Sequence, residues 1–536
     1  MKQLIKNILP AAGLILALGM TSCTKDLDVT PLDPNLSTEV SPEGLFNKCY
    51  ATIAMAGNGG GNGDCDIDGI DGGTSGYVRQ LWNANELPTD EAINGGGDDG
   101  IEESCFNTYD ESHPMLNGYF ARLTTSITYC NQYLAIAADY DATMTAEVRF
   151  LRALHYYFLM DAFGRIPFTE TLSDPVILSR QEAFDWIEKE LKEIEPNLST
   201  PKAKKSTDTN YGRVDQAAAW LLLSRLYLNA QVYTGTPRWS DAATYAKKVM
   251  DSDYRLNTTT VNGWTAYQML FMGDNGESDA AYEAIFPILC DGLKTTSWGT
   301  TQFLCAGSFD SDMHANPNDQ NGTNGLSGQV WGGNRARPSL IQKFFPNLDA
   351  PQVPAYDMIV AAGDDRAIFD GVGREINNLD RATFKNGYAV AKFINYKSDG
   401  TPGHDATFMD ADFFLFRTAE AYLTYAEATA RQGGGSATAE GVAAINALRK
   451  RAHAQERAGY SLNDILDEWS REFYFEGRRR VDLIRFGLYG GVNNYNWQWK
   501  GGSYGGTNFS ADLNIYAIPS NEISTNSNLK QNQGYN

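Results

Sequence analysis

The sequence predicts a mainly α-helical protein: a scaffold of stacked helical hairpins carrying long loop-rich insertions and a few short strands. Three observations predict this class. The first is the stretch Glu147–Phe168, EVRFLRALHYYFLMDAFGRIPF, where Leu151, Leu154 and Phe158 recur at helical spacing. Phe150, Leu154 and Tyr157 repeat that spacing one residue away, so the apolar stripe is wide and needs a helix on each side. The second is that amphipathic segments come in pairs: 114–138 with 145–163, 179–195 with 213–231, and 413–431 with 438–452. Small residues (Ala217, Ala218, Ala219, then Ala419, Ala421, Ala426) stand where the partners of the last two pairs would meet. This arrangement resembles stacked tetratricopeptide-type units. The third is a switch to Gly, Asn, Asp and Thr over 57–112 and about 252–410, as expected of loop insertions.

Taken in order, the chain opens with Lys2 and Lys6 before the apolar run Ile8–Met20. That run is too short to span a membrane and ends in Met20-Thr21-Ser22-Cys23, which resembles a bacterial lipobox. Residues 1–22 therefore read as a lipoprotein signal peptide, with lipid expected on the sulfur of Cys23. Residues 23–40 read as a tether and 41–536 as one domain. A helix is expected from Pro42 to about Ala56, capped by Ser41. Tyr77–Asn85 reads as a short strand or turn between two glycine-rich loops. Helices follow at about 114–138 and 145–163, the second ended by Gly164 and Pro167. Further helices are expected at Ser179–Glu195, Asp215–Ala230 and Ser240–Met250, and strand-like pieces at Ala284–Leu289 and Tyr388–Tyr396. Helices return at Phe413–Arg431, Ala437–Ala452 and Leu462–Phe486, before a tail of short strand and coil. Within Arg478–Gly487 the spacing predicts internal ion pairs, Glu476 with Arg480 and Arg478 with Asp482.

Asp plus Glu number 66 against 44 Lys plus Arg, which argues against nucleic acid or anionic lipid as a main partner. Besides Cys23 there are six scattered cysteines, with no CxxC pair and no zinc spacing. An exported chain permits a disulfide, and the spacing does not say which. No catalytic frame is present. The five histidines include no HExxH, and no acid stands in a recognisable catalytic setting. Gly95–Gly100 fits GxGxxG but lacks a preceding strand and carries two acids that would repel a phosphate. Asp64–Gly69 reproduces half of an EF-hand loop, with Ser75 rather than Glu at the twelfth position.

The remaining chemical signal is aromatic. Trp82, Trp298, Trp331 and Tyr396 lie in polar loop contexts where an apolar ring is unexpected. A flat ring stacks on the C–H face of a sugar, while Asp, Asn and Arg bond its hydroxyls. Asp66, Asp68 and Asn83 are the expected hydroxyl contacts.

The blocks GRVDQAAAWLLLSRLYLNAQVYTG, DFFLFRTAEAYLTYAEA, INALRKRA, EWSREFYFEGRRRVDLIRFG and IPSNEI…QNQGY, with the Glu147–Phe168 helix, resemble in order those of the SusD/RagB family of outer-membrane lipoproteins. The lipobox followed by LDVTPLDP agrees. The resemblance implies a SusD-like fold and a non-catalytic surface protein that captures a neutral polysaccharide, a starch-type glucan or a fructan. It implies a SusC-type TonB-dependent transporter as partner. A peptide-capturing importer of the same family is the alternative, and a glycosidase the third reading. NELPTDE, DIDG and AAGDDRA resemble the family's starch-binding founder more narrowly. In that protein an arc of aromatic rings and an Arg hold the ligand. Arg79 matches the Arg and Trp298 one ring. The other two ring positions fall in Ala92–Gly100, which has no aromatic, and on Leu326, so Trp82 and Trp331 are expected to supply a different platform. No cofactor is required. A structural calcium is expected, if anywhere, at Asp274, Asp410 and Asp412, with Gly276 where the founder has an acid.

Overall fold

The computed structural model describes residues 40–62 and 65–535. The expected signal peptide, Cys23 and the tether up to residue 39 lie outside the described residues. The chain divides into two units, Met1–Leu45 and Phe46–Asn536, with the boundary inside the first helix. Of the first unit only residues 40–45 are described.

The scaffold helices are α1 (Pro42–Ala54), α2 (Tyr77–Asn85), α3 (Pro114–Ala137), α4 (Ala142–Phe163), α5 (Arg180–Ile194), α6 (Gln216–Leu228), α7 (Trp239–Met250), α8 (Ala419–Gln432), α9 (Ala439–Arg451), α10 (Leu462–Phe473) and α11 (Arg479–Arg485). Their starts follow local chemistry. Asp141 accepts from the Met144 N–H, and Ser179 and Glu182 form a reciprocal capping box, as do Ser461 and Asp464. α4 is the axis of the helical stack: Phe150, Leu151, Leu154 and Leu159 are fully buried, and Gly164 closes the helix with φ +70°. α3 and α5 both pack on α4, and α6, α7, α8 and α9 pack each on the next. The helical stack is therefore as expected, but one hairpin is not. α5 pairs with α4 rather than α6, because Arg149 and Arg152 of α4 bind Glu190 of α5 at 2.7 and 3.0 Å in a largely buried site. No described helix is long and apolar enough to cross a membrane.

Among the described residues, eight short strands complete the fold. β1 (Ala92–Asn94), β5 (Asn334–Ala336), β7 (Ala389–Val390) and β6 (Phe369–Asp370) make one sheet in that order. β2 (Ile166–Phe168) pairs with β3 (Val176–Leu178), and β4 (Ala284–Ile288) pairs antiparallel with β8 (Phe413–Arg417).

Five segments differ from the sequence expectation. Phe413–Arg417 is a strand, not the start of a helix; its continuous apolar run is buried on both faces against β4, and such a run has no period to distinguish the two. Leu462–Phe486 is two helices, broken at Phe475 (φ +64°) and Gly477 (φ +77°). The break re-aims the arginines. Arg478 keeps Asp482 at 3.1 Å, but Arg480 reaches Asp161 of α4 at 3.0 Å, and Glu476 binds Lys392 and Arg417 instead. Only Ala389–Val390 of the 388–396 segment is strand, and the tail forms a short helix at Ser520–Thr525. Last, Tyr77–Asn85 is helix α2, buried along its whole length.

Candidate aromatic binding site

α2 places the expected site residues in two groups. Its backbone runs against the segment before residue 300: the Arg79 N–H donates to the Gly299 carbonyl at 2.9 Å. A Cβ on Gly76 would lie 2.8 Å from the Gly299 Cα, so this seam closes only because both residues are glycines. Gly60, Gly61, Gly73 and Gly76 are thereby laid beside residues 296–299. A Cβ on Gly73 would touch the Trp298 Cβ at 3.5 Å, and one on Gly61 would penetrate the Phe408 ring.

On this wall stands an aromatic cluster. Trp298 and Phe408 have ring centroids 4.6 Å apart at 49°, and Trp298 and Trp331 lie 6.0 Å apart at 48°. Phe408 is buried, Trp298 half-buried, and Trp331 is 43% exposed. The loops carrying them are clamped by backbone bonds, Trp331 N–H to Ala306 O and Ser327 N–H to Ala406 O, both 2.7 Å. The Trp331 indole N–H donates to Gln329 Oε1 at 3.1 Å, which fixes the ring's orientation. Two tilted rings with the Gln329 amide beside them form a step whose apolar faces suit the C–H faces of consecutive sugar rings.

Arg79 lies behind this step. Its guanidinium sits 4.5 Å from the Phe303 ring centre, donates to Gly73 O at 3.2 Å and pairs with Asp98. It therefore ties α2 to both glycine-rich loops. A ligand hydroxyl at this fork would compete with the half-exposed Asp98 carboxylate.

The other expected residues do not join the step. Trp82 is fully buried, edge-on between Phe303 and Phe475 at 5.3 Å from each, so it is core and not a platform. Asn83 is buried on the same helix, with its amide N–H on the Met115 sulfur. Tyr396 is buried and donates its hydroxyl to Asp319 at 2.8 Å; burial first, and that carboxylate second, raise its phenol. Asp66 binds Arg122 at 2.7 Å and Lys48 at 3.3 Å and so clamps its loop to α1 and α3. Asp68 is exposed on the loop surface. Phe408, Gln329 and Asp98 were not anticipated. Phe408 reads in sequence as an ordinary core residue before the acidic Asp410 and Asp412, and only its contact with Trp298 marks it.

The three expected calcium ligands do not converge. Asp410 and Asp412 line a cavity of about 310 Å³ with Asp291 and Glu277. Asp412 accepts from the Tyr211 hydroxyl at 2.7 Å and the Cys290 N–H at 2.8 Å; burial, then repulsion from Asp291 and Asp410, raises it to about 7. Asp410 accepts from the His404 N–H at 2.6 Å and keeps one buried oxygen unpartnered. Asp274 points elsewhere and accepts from the Ser398 N–H at 3.0 Å. An acid at Gly276 would have to displace the Asp412 carboxylate and the Tyr211 hydroxyl, since a Cβ there would lie 2.7 Å from an Asp412 oxygen. Among the described residues no three Asp, Glu, His or Cys side chains take a metal-ligating arrangement.

Comparison with known proteins gives a consistent picture. The model of the SusD family matches residues 359–535. The starch-binding protein SusD of Bacteroides thetaiotaomicron is 40% identical, with 99% of each chain covered. Among solved structures, surface glycan-binding protein A from Bacteroides fluxus superposes with a TM-score of 0.65 at 20% identity, covering 93% of this chain and all of that one. Surface glycan-binding protein A from Bacteroides thetaiotaomicron in complex with laminarihexaose gives 0.63 at 17% identity, over 92% and 98% of the two chains.

Proposed function

This chain belongs to the SusD family, and we propose that it is a cell-surface, non-catalytic glycan-binding protein that holds a neutral oligosaccharide on the Trp298–Trp331 step. The observation that carries this reading is the 43% exposure of Trp331, a large ring held out to solvent by its own loop beside a second tryptophan. An apolar ring held so rigidly has no packing role at its outer face and has the chemistry of a sugar platform.

The finer reading follows the lipobox and the family. Lipid on Cys23 anchors the chain to the outer membrane, and a SusC-type TonB-dependent transporter takes the captured ligand. A starch-type glucan is favoured by the 40% identity to the starch-binding relative. A fructan or another neutral glucan suits the same tilted pair of rings. The reading requires no metal, and the disposition of Asp274, Asp410 and Asp412 gives no support to a three-acid calcium site.

The test is affinity electrophoresis of the full protein through gels containing starch, other neutral glucans or fructans, beside prolonged incubation with the retained glycan. Retardation by at least one polysaccharide, with no new reducing ends, is expected. Free migration through every neutral glycan would sink the proposal, and released reducing ends would restore the glycosidase reading.

A further inference from the structure

We propose that Cys49 and Cys130 are joined by a disulfide in the mature protein, stapling α1 to α3. The two helices meet along a seam whose pairs run in opposite directions. Phe46 faces Tyr133 with ring centroids 6.1 Å apart. Farther along, Thr52 Oγ1 lies 3.1 Å from Ser126 Oγ. Cys49 and Cys130 stand between these two contacts, about one helical turn from each, on the facing sides of both helices. Both are fully buried free thiols in this structure, and Cys49 is the neighbour that, after burial, raises the Cys130 thiol. The other described cysteines meet different groups: Cys65 bonds Ser75, Cys105 bonds Asn94 and Cys290 bonds Thr301, while buried Cys305 lies near Asn395. Of the six, only Cys49 and Cys130 have a thiol for a neighbour.

The chemistry is thiol–disulfide exchange with a protein disulfide donor of the exported compartment. The donor's S–S bond breaks, and one bond forms between the Cys49 and Cys130 sulfurs. The two thiols lose their protons and two electrons in total, and the donor leaves as a dithiol. Exchange proceeds through a thiolate. Both sulfurs are fully buried once α1 has docked, beyond the reach of a protein disulfide donor. The link therefore forms before α1 docks on α3, while both thiols are open to solvent. Its place gives it a consequence for the site. The segment it closes contains loop 57–76, α2 and the Asp98 loop, which together make one wall of the aromatic step. A covalent tie at the two ends of that segment limits how far the wall can open.

The inference rests on the exported location argued above, and the experiment separates the two. Protein collected from the cell surface, and protein refolded from denaturant in a glutathione redox pair, are each alkylated under denaturing, non-reducing conditions and mapped by peptide mass spectrometry. We expect Cys65, Cys105, Cys290 and Cys305 to be alkylated and the Cys49 and Cys130 peptides to be joined in both samples. Reductant should lower the thermal midpoint of the wild type and leave that of C49A/C130A unchanged, with C49A and C130A each as destabilised as the double variant. Alkylation of both cysteines in the refolded protein would overturn the pairing itself. A link in the refolded sample, with both thiols free in the surface sample, would overturn the disulfide in the mature protein and count against export to an oxidising compartment.

Discussion

Replacing Trp331 by Ala removes the outer ring of the proposed platform and little else. A tryptophan side chain presents about 250 Å², and 43% exposure leaves about 100 Å² of it open. A pyranose ring stacked on one face covers roughly half of that, about 50 Å². At about 25 cal/mol per Å² the lost contact is worth about 1.3 kcal/mol, or roughly tenfold in Kd. The fold should not notice. Among the described residues the ring's packing partner is Trp298, itself held by Phe408, and the indole N–H is bonded only to Gln329 two residues away. Isothermal calorimetry with the oligosaccharide that retards the wild type should therefore show a weakening of about tenfold, with the thermal unfolding midpoint unchanged. Wild-type affinity in a Trp331→Ala protein of unchanged stability would refute the platform. A large fall in the midpoint would refute the claim that the ring is held out for a ligand.

Three further substitutions probe the scaffold behind the step. Trp82→Ala should cost about 3–5 kcal/mol of stability, because it empties a closed slot between Phe303 and Phe475; chemical denaturation would show it. Gly76→Ala drives a methyl into the Gly299 backbone and should cost about 1–3 kcal/mol; unlike Trp82→Ala it should also weaken glycan binding in the folded fraction, measured by the same calorimetry. Glu86 and Glu91 are fully buried, each with one carboxylate oxygen that has no hydrogen-bond partner, and burial first raises both, Glu91 to about 7. The folded protein thus holds a proton that the unfolded chain releases near pH 4.5, so this group's contribution falls as pH rises from about 4.5 to 7, by up to about 3 kcal/mol. Glu91→Gln should flatten that slope in denaturant titrations across the range; a slope unchanged from wild type would show that the pair does not share the proton.

The helical scaffold was legible because it is periodic. α4 could be read from Leu151, Leu154 and Phe158 alone, since an apolar stripe of that width has one cheap solution, burial between two helices. Caps at Ser179 and Ser461, the turn at Gly164 and the loop-rich insertions follow from the same local chemistry. The order of the blocks also carried the family. What the sequence left open was every choice made between segments far apart in the chain. Trp82 and Trp331 look alike in sequence, each a lone ring among polar neighbours. Trp82 became core because Phe303 and Phe475 close over its ring, whereas Trp331 stayed outside because its backbone is tied to Ala306 and its indole N–H to Gln329 of its own loop. Asp274, Asp410 and Asp412 looked like one ligand set, yet Ser398 holds the first away from the other two. Local sequence fixes the period, the caps and the turns, whose energies depend on residues a few positions apart. The direction in which a side chain finally points depends on which distant backbone closes over it, and for Trp298, Trp331 and Phe408 only the folded chain decided that.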